Sequence, residues 1–83
     1  MMKRQAIAVA DIYVPVKRRA ELKPSTVDEL AASIVKSGQQ TPILVRSDRA
    51  RFVLVEGLHR LEAAKALGEK TIGSAAELAD FHE

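Results

Sequence analysis

The sequence predicts a small α/β domain with two main helices. Apolar residues recur at helical spacing after Pro24, and a second helical pattern begins at Leu58. Two short runs rich in apolar residues, 43–46 (Ile-Leu-Val-Arg) and 52–55 (Phe-Val-Leu-Val), are separated by polar turn residues and indicate a β-hairpin. Because 83 residues can enclose only one core, we expect residues 1–83 to form a single domain.

The composition and the distribution of apolar residues exclude several classes of protein. The chain has no cysteine, so it forms neither a disulfide framework nor a thiolate zinc site. No apolar run approaches the roughly 18 residues that a membrane-spanning helix needs. The first residues also lack the apolar core of a secretory signal, and a cytoplasmic protein is therefore expected.

Charge is distributed unevenly along the chain, although the net charge is only +2. Residues 1–24 contain six lysines and arginines against Asp11 and Glu21, whereas residues 71–83 contain three acids and no lysine or arginine. A basic surface of this kind favours phosphate-bearing partners such as DNA or a nucleotide. A solvated charged surface is the alternative interpretation.

The N-terminal part is predicted to contain one strand and a basic loop. Residues 5–9 alternate as an inward-facing strand requires, and residues 10–13 are expected to turn the chain. Pro15 has no amide donor and disfavours helix at Val14, so residues 14–19 are expected to be loop.

The first main helix is predicted to begin near Ser25 and to end at Gly38. Ser25 and Asp28 have the spacing of a capping box, while Pro24 at the first helical position would shift the start by one or two residues. Glycine suits the left-handed conformation that ends such a helix. One apolar stripe follows the helical period and consists of Val27, Leu30, Ala31, Ile34 and Val35.

The second main helix is predicted to follow the hairpin directly and to end at Gly68. A brief strand at 71–72 then returns to the sheet. The capping-box pattern from Ser74 to Glu77 predicts a short acidic helix over residues 73–83. The predicted core face of the second main helix consists of Leu58, Leu61, Ala64 and Leu67.

The junction between the hairpin and the second helix has the features of an anion site. Glu56 and Gly57 end the apolar strand, and glycine permits a sharp turn that a side chain would resist. The first amides of the helix then lack intrahelical partners, and together with the helix dipole they favour an anion. His59 and Arg60 in the first turn would close over a phosphate. A plain strand-to-helix turn with exposed side chains is the alternative.

Two sequence boxes resemble those of the ParB/sulfiredoxin-like family, which includes the ParB N-terminal or "ParB-like nuclease" domain. The first box is Gly38-Gln39-Gln40-Thr41-Pro42 followed by the strand from Ile43, and the second runs from Val55 to Gly68 through Glu56-Gly57-Leu58-His59-Arg60. The resemblance covers roughly residues 5–72. It implies the family fold, a small mixed sheet with two main helices.

The same resemblance implies a nucleotide pocket with magnesium, which holds CTP in ParB relatives and ATP in other branches. Glu56 is the acid that would orient a metal or a water, and Glu56 and His59 are the candidate catalytic groups. Thr41 stands where the family has glutamine, and Gln40 lies one residue earlier. The implied nucleotide-binding residues are Gln40, Thr41, Pro42, Gly57, Leu58, His59 and Arg60, together with Arg18 and Arg19 of the basic loop.

Three functions remain open at this point. The first is a nucleotide-binding domain linked to plasmid or chromosome partition or to regulation. The second is a small nuclease, nucleotide hydrolase or phosphotransferase, which needs a metal-bound phosphate and a general base. The third is a non-catalytic module that binds a protein, a second copy of itself, or DNA phosphates without reading sequence.

Two departures from the family narrow these functions. Sulfiredoxins attack through a cysteine at the position of Leu58, so cysteine-dependent sulfinic acid reduction is excluded for this chain. The helix-turn-helix and dimerisation domains of ParB proteins have no counterpart in the sequence, which is expected of either a minimal relative or a truncated chain.

Overall fold

A computed structural model describes residues 2–38 and 41–77 of the chain. A short 3-10 turn, Val9–Asp11, joins the first two strands. The strands are β1 (Met2–Ala8), β2 (Ile12–Tyr13), β3 (Ile43–Asp48), β4 (Arg51–Glu56) and β5 (Thr71–Glu77). The helices are α1 (Val16–Arg19), α2 (Pro24–Ser37) and α3 (Leu58–Ala66).

The five strands form one mixed sheet in the order β1-β5-β3-β4-β2. Antiparallel pairing joins β1 to β5 and β3 to β4, whereas β3 and β5 run parallel, as do β2 and β4. The last strand of the described chain, β5, therefore lies inside the sheet, between the edge strand β1 and the hairpin strand β3. The predicted α/β class, with a small mixed sheet and two main helices, is confirmed.

The core lies on one face of the sheet, beneath α3. Ile43 and Val45 of β3 point to this face and are 1% and 0% exposed, while the intervening Leu44 is only half-buried. Leu61 of α3 is completely buried against them. The buried apolar cluster consists of Ile7, Val14, Ile43, Val45, Leu54, Leu58 and Leu61.

The predicted first helix is confirmed as α2, but its capping box is wrong. Lys23 occupies the N-cap position, and no side chain caps the helix. Pro24 takes the first helical position because its fixed φ suits the start of a helix, and Ser25 then lies inside the helix rather than before it. Gly38 ends the helix with a φ of 70°, as predicted.

The apolar stripe of α2 is half-buried, with one exception. Val27, Leu30 and Ile34 are partly covered, but Val35 is 69% exposed and does not belong to the packed face. The predicted core face of α3 agrees better with the structure: Leu58, Leu61 and Ala64 are buried, and Leu67 is half-buried. Helix α3 is therefore packed more tightly than α2.

The basic segment 14–19 is not all loop as predicted. One helical turn, α1, follows Pro15, whose carbonyl accepts hydrogen bonds from the amides of Arg18 (2.9 Å) and Arg19 (3.1 Å). Proline disfavours helix before itself but is well suited to a helix start, which accounts for the difference. Within the predicted turn 10–13, Ile12 and Tyr13 form β2 and pair with β4.

The predicted acidic helix over 73–83 is wrong for residues 73–77, which belong to strand β5. Residues 78–83 lie outside the described chain. The hydroxyl of Ser74 donates a hydrogen bond to the carbonyl of Gln5 at 3.0 Å instead of capping a helix. Because β5 pairs on both sides, the backbone hydrogen bonds of the sheet outweigh the local helical preference of this segment.

Candidate functional site

The turn from β4 to α3 has the geometry that an anion site requires. Gly57 lies between the two elements with φ 108° and ψ 29°, in a left-handed conformation. Its carbonyl accepts the amide of Leu61 at 2.9 Å, so the helix begins immediately after it. The amides of residues 58–60, which precede Leu61 in the helix, have no intrahelical partner, and no side chain caps this end of α3. A free, positive helix end therefore follows Gly57.

Close packing against β3 fixes this turn. A Cβ atom on Gly57 would lie 2.7 Å from Cγ2 and 3.0 Å from Cβ of Ile43. Ile43 is the first residue of β3 and is almost fully buried. The glycine is thus required both by its backbone conformation and by the approach of the turn to the sheet.

The structure brings two predicted binding residues, Thr41 and Arg60, into one pocket. Arg60 is half-buried in the first turn of α3, and Thr41 is exposed just before β3. The pocket lies between the C-terminal half of α2, one side of α3 and the start of β5. Its remaining lining residues are Ile34, Ala64, Leu67, Glu69, Thr71, Ile72 and Gly73.

Sequence reasoning missed Glu69, Thr71 and Gly73 as neighbours of Arg60. They follow α3 in a segment with no recognisable motif, and only the placement of β5 inside the sheet brings them to the pocket. The one signal in the sequence was the predicted strand at 71–72, which placed a polar strand start near the end of α3.

The ring of His59 already has a protein partner. The backbone N–H of Lys23 donates a hydrogen bond to Nε2 of His59 at 3.1 Å. His59 is half-buried at the second position of α3, and Lys23 is the N-cap of α2. Of the two ring nitrogens, Nδ1 is the one left for a phosphate oxygen or a proton transfer.

Three further predicted site residues are Leu58, Pro42 and Gln40. Leu58 is 7% exposed and belongs to the core, so only its amide can serve a ligand. Pro42 is half-buried between Thr41 and β3, beside the pocket. Gln40 lies outside the described residues.

The basic helix α1 does not contribute to the pocket around Arg60. Arg18 forms an ion pair with Glu21, with 3.7 Å between Nη1 and Oε1, and Arg19 is exposed. Neither residue is among the described pocket lining. Their role as nucleotide ligands stays a prediction.

Glu56 has a less favourable position for a metal than its place in the sequence suggests. It is exposed and pairs with Leu44 across the antiparallel ladder. The β3–β4 register shifts between Leu44 and Val45, where Glu56 and Leu54 pair with successive residues of β3 and Val55 is skipped. Within residues 2–38 and 41–77, no three histidines or acids converge to hold a metal ion. The metal and catalytic roles of Glu56 stay predictions.

The sequence profile described as the ParB N-terminal domain matches residues 2–81, nearly the whole chain. The chain belongs to the ParB N-terminal domain family. This ParB N-terminal domain is 41% identical over 69 residues to the "probable chromosome-partitioning protein ParB" of Campylobacter jejuni subsp. jejuni serotype O:2. The match covers 83% of the chain but only 24% of the Campylobacter protein.

Solved structures confirm the fold of this ParB N-terminal domain. Sulfiredoxin from Arabidopsis thaliana superposes with a TM-score of 0.79 at 29% identity, covering 90% of this chain and 84% of that one. A truncated ParB from Caulobacter crescentus complexed with CTP-γ-S gives 0.76 at 24% identity, covering 90% and 44%. A free serine kinase mutant in complex with ADP gives 0.80 at 18% identity, covering 95% and 33%. The predicted family resemblance is confirmed.

Membrane insertion through a helix has no support in the part of the chain that the structure describes. None of its helices is both long and apolar enough to cross a bilayer.

Proposed function

We propose that this ParB N-terminal domain binds a nucleoside triphosphate, CTP or ATP, with its phosphates at the turn from Gly57 to Arg60. The observation that carries the proposal is the free helix end after Gly57, with Arg60 in its first turn beside Thr41. Free amides and a guanidinium together offer a phosphate several charge-assisted hydrogen bonds. Fold neighbours in complex with CTP-γ-S and with ADP support a nucleotide of this class.

Magnesium would enter this site with the nucleotide rather than occupy a site made by the protein alone. Mg²⁺ is commonly bound by one or two carboxylates together with substrate phosphates. Glu56 directly precedes the turn and Glu69 lines the pocket around Arg60, but no three acids or histidines of the described residues converge to hold a metal ion. The described residues therefore do not fit an all-protein magnesium site. Bound Mg²⁺ would neutralise phosphate charge, while Arg60 and the α3 amides hold the phosphate oxygens.

The biological setting that we propose is chromosome or plasmid partition, or a related DNA-linked regulation. Its support is the 41% identity to a chromosome-partitioning ParB. Hydrolysis or phosphotransfer has weaker support, because Nε2 of His59 already accepts a backbone hydrogen bond. Direct, sequence-independent DNA binding and homodimer formation stay predictions.

Isothermal titration calorimetry tests the proposal. CTP and ATP, each with magnesium, are titrated into the wild type, the Arg60→Ala variant and an Arg46→Ala control. Arg46 is an exposed arginine on β3, so its removal makes the same charge change away from the turn. A hydrogen bond to a charged group is worth about 1.5–3 kcal/mol, so Arg60→Ala should weaken binding by about 10-fold or more.

Two results of this titration would reject the site. A folded wild-type protein that gives no heat with either nucleotide contradicts nucleotide binding. Equal affinity losses in Arg60→Ala and Arg46→Ala would show that only overall charge matters and that the turn is not the binding site. A preference between CTP and ATP in the wild type would also establish which base is accepted.

A further inference from the structure

One hydrogen bond ties together the starts of the two main helices. The donor is the backbone N–H of Lys23, the N-cap of α2, and the acceptor is Nε2 of His59 in the first turn of α3. The two residues are 36 positions apart in the sequence, and the donor–acceptor distance is 3.1 Å. Helices α2 and α3 pack against each other, so this bond lies at one end of their interface.

The bond selects one chemical form of the histidine. A neutral imidazole has one N–H donor and one nitrogen acceptor, while the protonated ring has two donors and no acceptor. For Nε2 to accept the amide of Lys23, the ring has to be neutral with its proton on Nδ1. The Nδ1–H group is then the donor that remains for a ligand.

The start of α2 has few other means of being held. It has no side-chain cap, and Pro24 contributes no N–H group. All residues of the connection 20–23 between α1 and α2 are exposed, and no residue of α2 is fully buried. The carbonyl of Lys23 nevertheless accepts the amides of Thr26 (3.0 Å) and Val27 (3.1 Å), so the position of Lys23 sets the first turn of α2.

We propose that His59 is a positioning residue, whose ring fixes the N-terminal end of α2 beside the phosphate-binding turn of α3. The bond places the N-terminal ends of α2 and α3, each the positive end of a helix dipole, next to each other. Through this position of α2, His59 affects the binding of an anion at the turn. Only this effect on the anion rests on the proposed nucleotide function, and the bond itself does not.

The first test uses nuclear magnetic resonance on the full chain without nucleotide. Long-range nitrogen–proton spectra of ¹⁵N-labelled protein report the tautomer of His59. A through-hydrogen-bond correlation reports coupling between the Lys23 amide nitrogen and Nε2. His82→Gln removes the other histidine of the chain and assigns the signals. We expect the Nδ1–H tautomer and the correlation. A proton on Nε2 overturns the proposal.

The second test measures amide hydrogen exchange at Thr26 and Val27 in the wild type, His59→Ala and His59→Gln. A net hydrogen bond is worth about 0.5–1.5 kcal/mol, so His59→Ala should speed their exchange by about 2- to 10-fold. Glutamine has a side-chain carbonyl that can accept the Lys23 amide, so His59→Gln should restore slower exchange. The Gly38 amide, bonded to the Ile34 carbonyl at the other end of α2, is the internal reference.

The outcomes separate this proposal from nucleotide binding. Unchanged exchange at Thr26 and Val27 in His59→Ala would overturn the positioning role, whatever the protein does with nucleotides. Faster exchange at these two amides, with no change at Gly38, supports it even if calorimetry finds no nucleotide. A loss of exchange protection throughout His59→Ala, including at Gly38, would indicate unfolding of the variant. The tautomer of His59 in the wild type then decides between accepting and rejecting the positioning role.

Discussion

Replacing Gly57 with alanine is expected to be the most costly single methyl addition among the glycines described. Two separate effects contribute. At φ 108° an L-residue is strained, and left-handed backbone costs about 1–2 kcal/mol for such a residue. The new methyl would also lie 2.7 Å from Cγ2 and 3.0 Å from Cβ of Ile43. Rotating the Ile43 side chain would not move its Cβ, so the backbone must shift.

Overpacking of this kind adds about 1–3 kcal/mol, which brings the expected loss for Gly57→Ala to about 2–5 kcal/mol. A domain of 83 residues typically has about 4–12 kcal/mol of stability in total. The variant should therefore lose a large fraction of its free energy of unfolding. Urea denaturation followed by circular dichroism, compared with the wild type, measures this difference.

Two other glycines separate the strain from the steric contact. Gly68 has a φ of 79° but no atom within 4 Å of the position that an added methyl would take, so Gly68→Ala should cost only the conformational part, about 1–2 kcal/mol. Gly73 has open space and no left-handed conformation, so Gly73→Ala should change stability by less than about 0.5 kcal/mol. Equal costs at Gly57 and Gly68 would refute the close approach of the turn to Ile43.

Two further substitutions test the core and the strand β5 by the same denaturation assay. Leu61→Ala should cost about 2–5 kcal/mol because Leu61 is 0% exposed, whereas Val35→Ala, at a residue 69% exposed, serves as the control and should cost little; similar losses in both would contradict the assigned core. Ser74→Ala should cost about 1–3 kcal/mol, since it removes the hydrogen bond to the Gln5 carbonyl from a residue that is 1% exposed. A neutral Ser74→Ala would show that this bond does not hold β1 to β5.

The elements with strong local patterns could be predicted from the sequence. Helical periodicity gave α2 and α3, alternation and turn residues gave the hairpin, and the glycine after Glu56 gave the turn that begins α3. The turn at Gly57 was predictable because its conformational requirement and the helix start are both local properties.

The features that the sequence did not predict depend on contacts between residues that are distant in the chain. Residues 73–77 have a helical capping pattern, and only pairing with both β1 and β3 makes them a strand. The partner of His59 is a backbone N–H group at Lys23, which no side-chain pattern reveals. The pocket residues Glu69 and Thr71 likewise became visible only when β5 was placed in the sheet.

The position of β5 between β1 and β3 has a consequence for the order in which the chain can fold during synthesis. Strand β1 is made first, yet its partner in the described sheet is β5, which is made last of the five. The hydrogen bond from Ser74 to the Gln5 carbonyl cannot form until Ser74, 69 residues later in the chain, has been synthesised. Until then β1 has seven residues with unpaired backbone groups, which is the kind of edge that joins other chains. A nascent chain stalled before Thr71 would therefore present an unpaired, aggregation-prone β1 segment rather than a folded half-domain.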